Sequence, residues 1–515
     1  MAHLPSRRWL YIAHRWAGIV LCLLMAMWFV SGVVMMYVGY PKLTPAERLA
    51  HLPDLALPPA CCVSPVQAVA AARAAAAAGP AAPAPGRRRA REEQPVDVRL
   101  AMIGATPHWL VSDGRHQTAV HAVSGIAVER ANAVVVNAAA QAFAPDKAVR
   151  LVETARQDIF TVSRALDPHR PLHRFAVDDA DGTELWVSSR TDEIVRESTR
   201  LERGWNWLGA VLHWFYPLKG EFFDPLRSDI IIYTSLGGTI LAVLGLVVGI
   251  WRWRFRGRYA SGRSTPYREP WMRWHHITGI VFGVVTLTWI LSGLLSLNPW
   301  RVFETDAPRP DHAALAGIAL ERATLARTPA EVIAQAGFPV RELTLRLFDG
   351  RAWYIAASGS GTTRIVPADG GGTMDAFPLA RIEQLAARLL PGHAVSRTTL
   401  LTGYDNYYYA REPHTMTGHV ERRLPMLRVE YADPHATWVH LDPWQGRIYN
   451  RIDDVGRLRR WLFAFLHSFD AVGFVDSRPL WDIVLIALSI GGTALTVSGV
   501  VIGWRRLRRP RPASV

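Results

Sequence analysis

Four stretches of this chain are too apolar to sit comfortably in water. They are Trp16–Val38, Ile230–Ile250, Ile277–Leu297 and Ile483–Gly503. A hydrocarbon core about 30 Å thick takes roughly 20 apolar residues in helical form, and each stretch meets that length. All four contain Gly or Ser, as packed membrane helices often do. The fold must therefore be arranged around four spans, with two long segments, about 39–229 and 298–482, outside the bilayer.

Charge orients the spans. The chain has 515 residues and a formal net charge of +14, a value that often points to nucleic acid. Here its placement gives a different reading. Arg7 and Arg8 precede the first span. Arg252, Arg254, Arg256, Arg258, Arg263, Arg268 and Arg273 fill the short loop between the second and third. Arg505, Arg506, Arg508, Arg509 and Arg511 follow the fourth. The positive-inside rule puts both termini and that loop in the cytoplasm, and the long segments outside, which in a bacterium is the periplasm. The partner implied is membrane lipid, not nucleic acid. The first span is longer than the apolar region of a signal peptide and lacks an A-x-A cleavage pattern, so it reads as a retained helix despite SRRWL at 6–10.

The chain is written twice. WLGAVLH, followed by SLGGTILAVLGLVVGIWRW, returns as WLFAFLH, followed by SIGGTALTVSGVVIGWRRL. His213 matches His467 and Ser235 matches Ser489. At the other end, HRWAGIV at 14–20 returns as HHITGIV at 275–281. Each half is a helix, an external region, an amphipathic segment and a second helix. The expected division is 1–38, a first external region at 39–204, an amphipathic segment and helix at 205–251, and a basic loop at 252–274. The second half follows as a helix at 275–297, an external region at 298–456, an amphipathic segment and helix at 457–504, and a basic tail at 505–515.

The external regions repeat on a smaller scale. Residues 64–79, 144–155, 328–337 and 378–392 have the composition of short helices, three of them with Pro in the first turn. HWLVSD, ELTLRLFDGRAWYIAAS and TWVHLDP read as hairpin strands around Asp-Gly, Gly-Ser-Gly and Gln-Gly turns. Each external region is thus expected to hold two helix-plus-antiparallel-sheet units. Residues 80–95 are a low-complexity Ala/Pro/Arg stretch. The fold class is membrane α-helical plus α+β.

Particular motifs carry a family resemblance. RWLYIAHRWAGIVLCLLMAMWFVSGVVMMYV, YYYAREPH, RLPMLRVEYADPHATWVHLDPWQGRIYNRID, WLFAFLHSFD and RPLWDIVLIALSIGGTALTVSGVVIGWRRL resemble the PepSY-associated transmembrane proteins. The resemblance covers nearly the whole chain and implies periplasmic PepSY-like domains. Some relatives are linked to iron acquisition, including a haem-containing inner-membrane reductase of ferric siderophores. The small external domain is also named for a proposed peptidase-inhibiting role.

The repeat gives the histidines meaning. His14 and His275 lie at the cytoplasmic ends of the first and third spans. His213 and His467 lie on the outer side, before the second and fourth. Equivalent positions of two halves can face each other across a pseudo-two-fold axis, and two facing neutral imidazoles are an axial set for haem iron. Two b-type haems, roughly 25–40 Å apart by helical rise, would then link the membrane faces. His276 aligns with Arg15, so His275 is the expected ligand and His276 a propionate contact. Copper sites would more typically add Met or Cys; Met35 and Met36 are placed only for the outer end. His169, His173, His414, His419, His435 and His440 read as external-domain histidines. The aromatic cluster YDNYYYAREPH at 404–414 fits either a strand or a lip above the outer site.

No C-x-x-C-H or C-x-x-C occurs among Cys22, Cys61 and Cys62. Cys61 and Cys62 leave open a bond to another chain, a vicinal disulfide, or neither. No G-x-G-x-x-G follows a strand, so a built-in NAD or flavin domain is not expected. Electrons would come from quinol or a cytoplasmic donor. The leading expectation is a di-haem inner-membrane electron carrier passing electrons to a periplasmic ferric siderophore or other iron chelate. The alternative is a membrane-anchored PepSY module that binds a peptidase or envelope partner without a cofactor. Four helices with few intramembrane charges make a transporter a poor fit.

Overall fold

The computed structural model describes residues 6–78, 95–128, 133–219, 224–415, 418 and 420–508. Residues 80–94 of the Ala/Pro/Arg stretch, and His419, lie outside the described residues. Among the described residues, four helices are long and apolar enough to cross a membrane: Ser6–Tyr37, Asp224–Arg252, Pro270–Ser296 and Leu480–Leu507. The protein is a multi-pass membrane protein.

The four membrane helices form a closed bundle. The first packs against the second and fourth, and the third packs against the same two. Equivalent helices of the two halves therefore stand on opposite corners. Glycines permit the close approach. A Cβ at Gly238 would lie 3.1 Å from Ile290, and one at Gly492 would lie 2.3 Å from the Phe29 ring. Both contacts obey the repeat, because Gly238 corresponds to Gly492 and Phe29 to Ile290.

The amphipathic segments become short broken helices that pack at one end of the bundle. In the first half, Arg200–Asn206 continues through a π-helical turn, Trp207–Val211, to His213. In the second, Asp454–Arg459 continues through Arg460–Phe465 to His467. Each ends on a phenylalanine with left-handed backbone, Phe215 at φ 55° and Phe469 at φ 49°. Such a turn is uncommon for a residue with a bulky side chain, and the two halves make it at the same place.

The strands are β1 (Asp97–Ile103), β2 (Thr106–Ser112), β3 (Gln117–His121), β4 (Val149–Ala155), β5 (Leu172–Val177), β6 (Glu184–Ser188) and β7 (Ile194–Ser198) in the first half. The second half gives β8 (Glu342–Phe348), β9 (Arg351–Ala357), β10 (Thr363–Pro367), β11 (Val395–Leu401), β12 (Met426–Tyr431), β13 (Trp438–Asp442) and β14 (Arg447–Ile452). Two four-stranded sheets, β4-β5-β6-β7 and β11-β12-β13-β14, belong to one half each. The remaining strands differ from the expected pair of separate units. β1 pairs antiparallel with β8, Leu100 opposite Leu343, and joins the first unit of each half into one six-stranded sheet, β10-β9-β8-β1-β2-β3. Leu100, Trp109, Leu343 and Tyr354 are buried on that sheet.

Turn chemistry explains the hairpins. Asp349 and Gly350 between β8 and β9 have φ of 55° and 73°, the left-handed pair that a two-residue hairpin needs. Helices occupy Pro65–Ala78, Pro329–Ala336 and Leu379–Ala386, inside the expected ranges. The expectation at 144–155 is corrected: Val149–Ala155 is the edge strand β4, and the helix of that unit precedes it at Ala133–Phe143. Cys61 and Cys62 form a vicinal disulfide, while Cys22 is buried in the bundle.

Candidate metal centre

Two histidine pairs lie inside the bundle. His14 and His275, on diagonal helices, have ring centroids 6.2 Å apart. His213 and His467, delivered by the broken helices, have centroids 6.3 Å apart. This spacing is compatible with two imidazoles sharing one metal ion. Metal–imidazole bonds of about 2.0 Å, plus about 1.1 Å from nitrogen to ring centre on each side, give about 6.2 Å between centroids.

The hydrogen bonds fix which nitrogen is available. His14 Nδ1 donates to Leu241 O at 3.3 Å and His275 Nδ1 to Leu495 O at 3.1 Å. Leu241 and Leu495 are equivalent positions. His213 Nδ1 lies 2.8 Å from Ser31 Oγ, and His467 Nδ1 lies 3.0 Å from Ser292 Oγ. Each serine hydroxyl already donates to a carbonyl of its own helix, Ser31 to Met27 and Ser292 to Trp289. The serine oxygens therefore accept from the imidazoles. All four rings turn Nδ1 to a hydrogen-bond partner in this network, which leaves the four Nε2 atoms for a ligand site. An outer hydrogen bond of this kind sets the tautomer and orientation of metal-binding histidines.

Each ring also lies against a glycine. A Cβ on Gly32 would stand 3.8 Å from His213 Cε1, and on Gly293, 3.7 Å from His467 Cε1. At the other level, a Cβ on Gly245 would come to 2.8 Å from His14 Cε1, and on Gly499 to 3.4 Å from His275 Cε1. The first helix carries both His14 and Ser31, so helical rise separates the two levels by about 25 Å. Two imidazoles per level do not make the three- or four-ligand set of a protein zinc site, and no group of three or more metal-binding side chains occurs among the described residues.

The His213–His467 pair opens into a cavity of about 410 Å³, within the usual range of small-molecule sites. Trp28, Phe29, Trp289 and Ile290 make its apolar walls. Arg227 and Arg411 line it too; Arg411 belongs to the YDNYYYAREPH stretch, whereas Arg227 does not stand out in the sequence as a site residue. Arg227 donates to Trp214 O at 2.8 Å, and Arg411 lies over the Trp481 ring. Tyr409 reaches the same cavity and donates to Asp470, a buried carboxylate that also pairs with Arg460 at 2.8 Å. Burial and then Asp470 push the Tyr409 phenol well above its ordinary range. The YDNYYYAREPH stretch is thus not a strand. Tyr408 is buried against His440, and Tyr409 and Arg411 face the cavity. Met35 and Met36 line it as well.

His276 stands in a different setting from the four paired histidines. Its Nδ1 lies 2.7 Å from Thr265 Oγ1 and its Nε2 lies 2.8 Å from Gly249 O. Both nitrogens are used, and the ring is packed against Trp253 and Tyr267. It ties the basic loop to the second membrane helix, and both of its ring nitrogens have protein partners. Of the other histidines, His169 bonds Ser188, His173 bonds Thr154, His414 bonds Glu47, and His435 sits between Asp306 and Asp454. His440 is fully buried and accepts from Arg428 Nε at 2.9 Å, so it is a core group and not a surface one.

The family model of the PepSY-associated TM region matches residues 11–507. No curated protein matches the chain.

Proposed function

The chain belongs to the PepSY-associated transmembrane family, and from that premise we propose that it is a membrane electron-transfer protein built to hold two haem b groups. The observation that carries this reading is the doubled imidazole pair. Centroid separations of 6.2 and 6.3 Å would let each pair of imidazoles hold one metal ion, and every Nδ1 already has a hydrogen-bond partner. His14 and His275 would hold one group, and His213 and His467 the other. When bound, haem supplies one-electron redox chemistry.

The chain's own residues do the rest. Leu241, Leu495, Ser31 and Ser292 hold the imidazoles in orientation through their Nδ1 atoms. The apolar walls exclude water, and so help set potential through the local dielectric. Arg227 and Arg411 put positive charge at the cavity end where carboxylate side groups would be accommodated. In this reading the Arg-rich face is cytoplasmic in a bacterial inner membrane, by the positive-inside rule, and the sheets are periplasmic. The donor is quinol or a cytoplasmic protein. The acceptor is a ferric siderophore or other iron chelate, an assignment that rests on resemblance alone.

Visible spectra of detergent-purified protein, oxidised and reduced, with a pyridine haemochrome count, test the proposal. Two haems per chain, falling to one in His213→Ala, are expected. A colourless protein after expression with added haem precursor would return the chain to the cofactor-free binding module.

A further inference from the structure

A second cavity, of about 210 Å³, lies in the sheet region away from the histidine pairs. It opens where the two halves are sewn together. β1 of the first half contributes Val98, and β8 of the second contributes Leu345 and Arg346. β14 adds Arg447, and the helix Pro65–Ala78 adds Arg73. The floor is apolar and the rim carries three guanidinium groups.

Two of those groups are poorly satisfied. Arg346 is largely buried, with its side chain 13% exposed, and among the described residues the carboxylate it pairs with is Asp97, at 3.6 Å. That oxygen pair is shared, because Asp97 also lies 3.6 Å from Arg99. Arg346 Nε has no hydrogen-bond partner among the described residues. Arg447 stands 3.8 Å from Asp442, also beyond hydrogen-bond range. Nearby guanidiniums behave differently. Arg48 and Arg99 both reach Glu342 at 2.7 Å, and Arg73 reaches Glu321 at 3.1 Å. Burial, offset in part by Asp97 and reinforced by Arg447, holds the Arg346 guanidinium below its ordinary range. A buried donor without its acceptor is costly, and an oxyanion is the group whose geometry matches the guanidinium fork.

We propose that this cavity binds a small organic anion, with its carboxylate or phosphate held between Arg346 and Arg447 and its body on Val98, Leu315 and Leu345. The site is separate from the haem reading and stands or falls without it. It spans strands and a helix from both halves, so an occupant would brace the seam between β1 and β8.

Calorimetric titration of the purified full chain with citrate, and separately with inorganic phosphate, tests the assignment. Saturable binding of at least one is expected, weakened tenfold or more by Arg346→Gln and by Arg447→Gln. Arg447 is 44% exposed in its side chain, so its variant carries the test if the buried one misfolds. No saturable binding, or equal affinity in the variants, overturns the proposal. Binding of a glutamate-rich peptide with no binding of either small anion also overturns it, and would make the cavity a protein-docking groove.

Discussion

Ser31 Oγ stands 2.8 Å from His213 Nδ1, and the contact is repeated in the other half by Ser292 and His467 at 3.0 Å. These serines hold the imidazoles that reach the outer level from broken helices. Loss of such an outer hydrogen bond typically weakens a metal site 10–100-fold. Ser31→Ala is expected to lower occupancy of the outer site and shift its midpoint potential, while the inner site keeps its own. Potentiometric titration followed in the visible band reads both, and two unshifted midpoints would remove the serine from the site.

His276 provides the counter-test. His276→Phe breaks bonds to Thr265 and Gly249 and leaves their oxygens short of a partner, at a cost on the order of 2 kcal/mol. The expected variant is less heat-stable but carries the full haem complement. A variant with half the haem would make His276 a ligand after all.

Gly492 can be tested by adding one carbon. Its Cβ would meet the Phe29 ring at 2.3 Å, and overpacking of this kind costs about 1–3 kcal/mol. Gly492→Ala is expected to lower the unfolding midpoint in detergent. Phe29→Leu in the same chain should recover most of the loss. Additive losses in the double variant would show that the two sites do not compete for the same space.

Acid should loosen the external sheets. His108 is buried opposite His121 between β2 and β3, and burial pushes its pKa down to about 4 from 6.5. The unfolded chain takes up the proton first, so stability falls as pH drops from about 6.5 towards 4, by about 3 kcal/mol at most. Glu342 acts in the same direction lower on the scale. Arg48 and Arg99 outweigh its burial and hold it at about 2, so its contribution is lost between 4.5 and 2. Glu197 opposes them, because burial and then Glu47 and Glu202 raise it to about 7, and its contribution is lost as pH rises from 4.5 through 7. Thermal unfolding across pH 4–7 should show a shallower acid limb in His108→Leu, and an unchanged limb would exclude His108 as its source.

The spans and the histidine pairs were legible because the repeat supplied what a single histidine cannot: a partner at a related position. Ser31 and Ser292 could have been found the same way, since FVSGVV and ILSGLL recur at matching places. The union of β1 with β8 left no local signature, because strand pairing between distant segments is set by packing and not by neighbours in sequence. β4 misled for a related reason. Leu151 and Val152 are exposed on an edge strand, so its pattern lacks the alternation of a half-buried one, and the proline before it imitates a helix start. Arg227 and Arg346 draw their significance from cavities that only the folded chain encloses.

The diagonal placement of equivalent helices has a consequence for ancestry. Each imidazole pair takes one ring from either half, and the six-stranded sheet takes three strands from either half. A single half is coordinatively incomplete. Two identical copies around a true two-fold axis would have completed both levels at once, so a homodimer that later became one gene is the simplest precursor of this architecture. Within one chain the halves need not be identical, and here aromatic Phe29 faces Gly492 where aliphatic Ile290 faces Gly238.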